Sequence, residues 1–286
     1  FTKSVVTQFY RNTANNLSGK KIGILIFDYK GDYIKEDFVN ATNAKIYELD
    51  RLPYNPLALA IGDKPKKRLP VHTASTFLET LSKAYNLGHV QTLELKEILG
   101  EAYENAGIYK DDVASWDKPA PTMNDVFELY LANDKVKKDS LYAALDKLND
   151  FEIFEPISTK TTPLYDLIDG VTIINLNGYS TEIQNLVVAI TLDQFYAQMQ
   201  IHGHSELEGD IRQINKLILV DEADNFLSKN FESLRKILKE GREYGVGTIL
   251  STQFLNHFST SDNEYTQYIL TWIIHRVSEI NDKEVG

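Results

Sequence analysis

The chain has 286 residues, no cysteine, 43% hydrophobic and 25% charged residues, and a formal net charge of −11. This is enough apolar sequence for one elaborated α/β domain or two small ones, and the lack of thiols excludes a disulfide framework or thiolate metal site, which fits a cytoplasmic protein. The acidic balance excludes a protein that coats nucleic acid with its whole surface, because that binding neutralises phosphates with Lys and Arg, but it leaves room for contact through a few loops. The longest apolar runs, 22–27 and 186–192, fall far short of the roughly 20 residues of a membrane span, so no membrane partner is expected.

Thr2 to Asn15 spaces Val5, Val6, Phe9 and Tyr10 along one helix face, and Lys21 to Phe27 is the first strand. At its tip, Asp28-Tyr-Lys-Gly-Asp-Tyr33 sets a glycine suited to a tight turn among charged groups, where open α/β sheets bind ligands. Taken alone, this stretch reads as an ordinary βα loop. Ala44 to Leu49 is a second short strand, and Pro53-Tyr-Asn-Pro56 ends the pattern.

From Asp63 to Asn149 the texture turns helical. Lys64-Pro-Lys-Lys-Arg68 reads as a solvated basic loop. Phe77, Leu78, Leu81 and Tyr85 then share one helix face, and Leu95, Ile98, Leu99 and Tyr103 another. Thr122 with Asp125 marks a capped helix start, and Ser140 to Leu148 forms one more helix. The predicted organisation is an α/β core over 1–62, a helical insertion over 63–160 and the second part of the core over 161–286.

Leu164 to Ile168 and Val171 to Leu176 read as a β-type run ending in the turn pair Asn177-Gly178, and Thr181 to Met199 as a long, largely buried helix. His202-Gly-His204 opens an acidic loop whose spacing matches no standard metal site. Lys216-Leu-Ile-Leu-Val220 then runs into Asp221-Glu-Ala-Asp224, a buried parallel strand tipped with carboxylates. A Walker B motif has this form: Asp221 would hold Mg²⁺, directly or through water, and Glu222 would face an attacking water. The other reading is a surface turn whose acids cap the next helix.

That next helix is predicted from Phe226 to Glu243, followed by a strand, Val246 to Leu250, with a Ser251-Thr-Gln253 tip. An amide at Gln253 can hydrogen-bond both a γ-phosphate and water. Arg242 reads as helix C-terminal charge facing water. Tyr268 to Val277 is predicted to be the last strand, and Asp282 to Val285 to start a helix.

Taken together, Asp28-Tyr-Lys-Gly-Asp32, Leu217 to Ala223 and Gly241 to Gln253 resemble the HerA/FtsK group of P-loop ATPases. Within that group the pattern is most similar to the DptH type from bacterial DNA phosphorothioation-dependent restriction systems. The resemblance runs from about Ser4 to Glu284 and is weakest through the helical insertion. It implies a RecA-like parallel sheet, ATP with Mg²⁺, a homo-oligomeric ring (usually a hexamer), double-stranded DNA and other restriction subunits as partners. It gives catalytic roles to Asp221, Glu222, Gln253 and Arg242, the last as an arginine finger reaching a neighbouring subunit's nucleotide, the metal to Asp221, and a supporting cofactor-binding position to Asp28, Lys30 and Asp32. One departure stands out: no G-x-x-x-x-G-K-[ST] phosphate loop occurs in the 286 residues. The sequence is therefore expected to begin just downstream of its P-loop, with the first, centrally placed strand missing and a gap left in the sheet.

Two other readings remain. Asp221-Glu-Ala-Asp224 matches the Walker B letters of DEAD-box RNA helicases, and Ser251-Thr252 falls near the place of their Ser-Ala-Thr motif. Against this, the Ala is missing, the strand ends in Gln253, and no second RecA-like domain follows. A catalytically silent RecA-like scaffold fits the missing loop, but leaves Asp221, Glu222 and Gln253 without a purpose.

Overall fold

The computed structural model describes residues 1–133, 136–223, 227, 231–252, 259–260 and 263–275. Five parallel strands form the central sheet: β1 (Gly23–Asp28), β2 (Lys45–Glu48), β3 (Val171–Asn175), β6 (Lys216–Val220) and β7 (Val246–Leu250). Their order is β2-β3-β1-β6-β7, with every neighbouring pair hydrogen-bonded in parallel. The expected central gap is absent from these strands: β1 itself bridges β3 and β6, and β7 is an edge of the described sheet.

Alternation along the strands assigns their side chains to two faces. Leu25 and Phe27 of β1 and Ile218 and Val220 of β6 join the larger core. Ile24, Ile26, Leu217 and Leu219 join a smaller one with Val6 of α1 (Thr2–Arg11) and Phe38 of α2 (Glu36–Thr42). Because both faces are covered at the centre, β1 is buried along its whole length and reads as an unbroken apolar run.

Between β2 and β3 lie α3 (Leu69–Tyr85), α4 (His89–Asn105), α5 (Met123–Leu131) and α6 (Ser140–Asp150). Thr122 and Asp125 exchange the bonds of a capping box at the start of α5. These helices share the larger core with α8 (Thr181–His202), which carries a series of buried polar side chains. Each is matched: Gln184 donates to the Leu176 carbonyl (2.9 Å), Thr191 pairs with the Tyr54 hydroxyl (2.6 Å), and Gln198 accepts from the Tyr165 amide (2.7 Å). These bonds tie irregular backbone to α8, as buried polar groups require.

Three predicted elements differ in the structure. Leu164 to Ile168 is not strand: Leu164–Leu167 is one helical turn, α7. Pro163 fixes its start, and the Lys216 ammonium, 2.5 Å from the Ile168 carbonyl, caps its end. The predicted 226–243 helix appears as α9 (Glu232–Glu240) and a 3₁₀ turn over Gly241–Tyr244, with 224–226 and 228–230 outside the described residues. The last predicted strand, from Tyr268, is a 3₁₀ turn over Thr266–Tyr268 and then irregular backbone to residue 275. Residues 276–286, including the helix predicted from Asp282, lie outside the described residues. The loop after His204 folds into a small hairpin of β4 (Leu207–Glu208) and β5 (Ile211–Arg212).

Candidate active site

The C-terminal tips of β1, β6 and β7 are adjacent and tied together. The Asp221 amide reaches the Phe27 carbonyl (3.4 Å), the Ala223 amide donates to the Ser251 carbonyl (2.8 Å), and the Ser251 amide to that of Val220 (3.1 Å). Asp221 and Glu222 leave the sheet between a β1 loop and the β7 tip, at the carboxyl end where ligands of open α/β sheets lie. Glu222 has φ +52°, a left-handed conformation rare for a non-glycine residue and concentrated at functional sites.

The two carboxylates meet different neighbours. Burial raises the Asp221 pKa above the ordinary aspartate value; a hydrogen bond from Ser251 opposes the rise, and repulsion by Glu222 and Asp28 adds to it. Glu222 instead meets Lys30, whose ammonium lies 2.6 Å from its Oε1. The Lys30 side chain is 52% exposed, so this pair contributes only about 0–1 kcal/mol to stability.

Asp28, read from sequence as a cofactor-binding residue, is fully buried. Its Oδ1 accepts from the Gly31 and Asp32 amides (2.9 and 3.0 Å) and its Oδ2 from the Tyr33 amide (2.7 Å). It shapes the loop that presents Lys30, and Gly31 at φ +74° permits the turn. Asp32 pairs with Lys35 at 2.6 Å, which holds its pKa below the usual value. Tyr33 donates to or accepts from Thr2 Oγ1 at 2.6 Å, joining this loop to the start of α1. Burial pushes the Tyr33 phenol up.

The structure therefore brings Asp221, Glu222, Lys30, Asp28 and Asp32 to one end of the sheet. Arg242 lies at the other end, in the exposed turn before β7. At about 3.3 Å per residue, the length of β7 separates it from the tips, so it cannot reach Asp221 of its own chain. Gln253 and Asp224 lie outside the described residues. Sequence reasoning missed Ser251, which bonds Asp221; the signal was its place as first residue of the tip on the next strand.

The donor set suits a small hard cation. Asp221 is half-buried and rich in neighbouring negative charge, with hydroxyl oxygens of Ser251 and Thr252 on the adjacent tip. Among the described residues no cluster of three or more His, Asp or Glu could hold a metal alone. Mg²⁺ needs no such cage, since one or two carboxylates with phosphate oxygens and water suffice. The described residues fit the metal half of a phosphoryl-transfer site; the phosphate-cradling loop is absent from the 286 residues.

A family model described as "Helicase HerA, central domain" matches residues 7–195, about two thirds of the chain. A "DNA double-strand break repair helicase HerA" from Sulfurisphaera tokodaii is 25% identical over 244 residues, covering 80% of this chain and 45% of that protein. The chain thus spans less than half the length of that curated relative. Among solved structures, VirB4 of Thermoanaerobacter pseudethanolicus aligns over 93% of both chains at a TM-score of 0.62 with 13% identity, a likeness of fold. The plasmid coupling protein TrwB, solved with ADP and Mg²⁺, aligns over 89% of this chain and 62% of its own at a TM-score of 0.41 and 16% identity, too low to carry an argument. Among the described residues no helix is long and apolar enough to cross a membrane.

Proposed function

The chain belongs to the family of the HerA helicase central domain, and from that membership we propose that it is the ATPase core of a DNA translocase or helicase-like motor. The supporting observation is the pair Asp221–Glu222 at the tip of β6, flanked by the β1 loop and the β7 tip. Bound Mg²⁺ would neutralise charge developing on the transferred phosphoryl group. Asp221 would hold that ion, kept in line by Ser251. Glu222 orients and deprotonates the attacking water, and Gln253 reads the γ-phosphate. Arg242 acts in trans, on the nucleotide of a neighbouring subunit in a homo-oligomeric, usually hexameric, ring around double-stranded DNA.

Residues 1–62 and 161–286 form the motor core and 63–160 an insertion within it. In support, β2 and β3 pair directly although the four helices separate them in sequence. The resemblance of the three motifs to DptH favours a role in a DNA-modification-dependent restriction system against phage, alongside other restriction subunits. The family membership favours this motor reading over the DEAD-box reading of Asp221 to Asp224.

The test is Glu222→Gln in the whole protein. Nucleotide binding should persist while DNA-stimulated ATP turnover falls by about 100-fold or more, the usual contribution of a positioned general base. Continued hydrolysis would remove Glu222 from the mechanism, and an absence of ATP turnover in the unaltered whole protein would favour a silent scaffold.

A further inference from the structure

Resting on the ATPase reading, we propose that Lys30 is the positioning residue for Glu222, separating its carboxylate from that of Asp221 so that one holds the cation and the other faces water. Asp221 and Glu222 are consecutive, carry like charge, and would both collapse onto a divalent cation at the strand tip. The structure divides them. Asp221 is bonded by Ser251 on the β7 side, and Glu222 is held at 2.6 Å by Lys30 on the β1 side. The left-handed backbone of Glu222 turns it out of the alternation of β6, so that consecutive side chains serve opposite neighbours.

Lys30 is itself positioned. Asp28 takes the amides of Gly31, Asp32 and Tyr33, fixing the loop from both ends of the lysine's turn. Asp32, an acid two residues on, is engaged by Lys35 at 2.6 Å. The Lys30 ammonium reaches Glu222 Oε1 at 2.6 Å. An ammonium is a point charge with three rotatable donors, so it can hold one carboxylate oxygen and let the group pivot toward water.

In the whole protein, Lys30→Met should lower kcat for ATP hydrolysis about tenfold or more, since small misplacements of a reacting group cost that much or more. KM for ATP should stay within about twofold, and Lys30→Arg should restore most of kcat. A readout without turnover is hydrogen exchange of nucleotide-free protein. Amides over 221–223 should exchange at least about threefold faster in Lys30→Met, at the wild-type rate in Lys30→Arg, with β3 unchanged as the folding control. Should Lys30→Met fail to fold, Lys30→Gln carries the same expectations.

A large rise in KM with kcat intact would make Lys30 a nucleotide contact and overturn the proposal. Unchanged kinetics and exchange would overturn it as well. The two levels separate cleanly: no ATP turnover by the unaltered whole protein defeats the ATPase reading, whereas an inactive Glu222→Gln beside a normal Lys30→Met defeats only the positioning role.

Discussion

Asp193, on α8, is partly exposed as a residue, but its carboxylate is turned into the junction of three helices. It accepts from Thr80 of α3 at 2.5 Å and from Ser233 of α9. Burial raises its pKa to about 6, against those two hydrogen bonds and the nearby Lys236 and Lys83. A carboxyl raised on folding stabilises the protein most below its unfolded value, near 4, and that contribution is lost as pH rises through about 6. Asp193→Asn should therefore flatten the dependence: the wild type should lose about 2 kcal/mol relative to the variant between pH 4 and pH 7. Urea unfolding of both proteins across that range measures it, and parallel curves would refute it. At this scale the sequence was legible unevenly. Asp221 and Glu222 could be found because consecutive acids end an apolar run. Lys30 and Ser251 could not be paired with them, nor Thr80 and Ser233 with Asp193, because each contact joins residues tens of positions or more apart.

At the scale of elements, the buried strands and long helices were legible because their periods are strong. β1 and β6 are mostly apolar runs, β3 is buried throughout, and α3, α4 and α8 carry wide apolar faces. The errors fell where context decides. Leu164 to Ile168 is as apolar as a strand, but Pro163 starts a helical turn there and Lys216 closes it from β6. The same junction makes Gly23 indispensable: a Cβ there would lie 2.1 Å from the Ile168 carbonyl oxygen and 2.7 Å from Lys216 Cδ. Neither neighbour can yield freely, since the carbonyl is backbone and the lysine stem is packed beside it. Gly23→Ala should thus cost about 2 kcal/mol or more, the scale of an overpacked core, and lower the midpoint of urea unfolding with its slope unchanged. A variant within about 0.5 kcal/mol of wild type would show that β1 can shift past the α7 turn.

At the scale of the molecule, a doubly covered parallel sheet was legible from the alternation of apolar strands with helices, but strand order was not, because hydrogen-bonded neighbours such as β1 and β6 are far apart in sequence. The order has a functional consequence: it gathers Asp28, Asp32, Asp221 and Glu222 at one end of a chain already carrying −11. A nucleoside triphosphate brought there meets mostly negative charge. Of the lysines nearby, Lys30 is engaged by Glu222 and Lys35 by Asp32, and the Lys3 ammonium lies over the Tyr33 ring at 5.8 Å. Backbone amides of a phosphate loop normally supply the missing attraction, and the loop at Gly31 has turned its amides inward to Asp28. The 286 residues by themselves should therefore bind ATP with a dissociation constant weaker than about 1 mM, with or without Mg²⁺, equivalent to less than about 4 kcal/mol. Calorimetry on this polypeptide measures it directly. Binding in the micromolar range would mean that the strand tips alone hold the phosphates, and that Lys3, Lys30 or Lys35 leaves its present partner to do so.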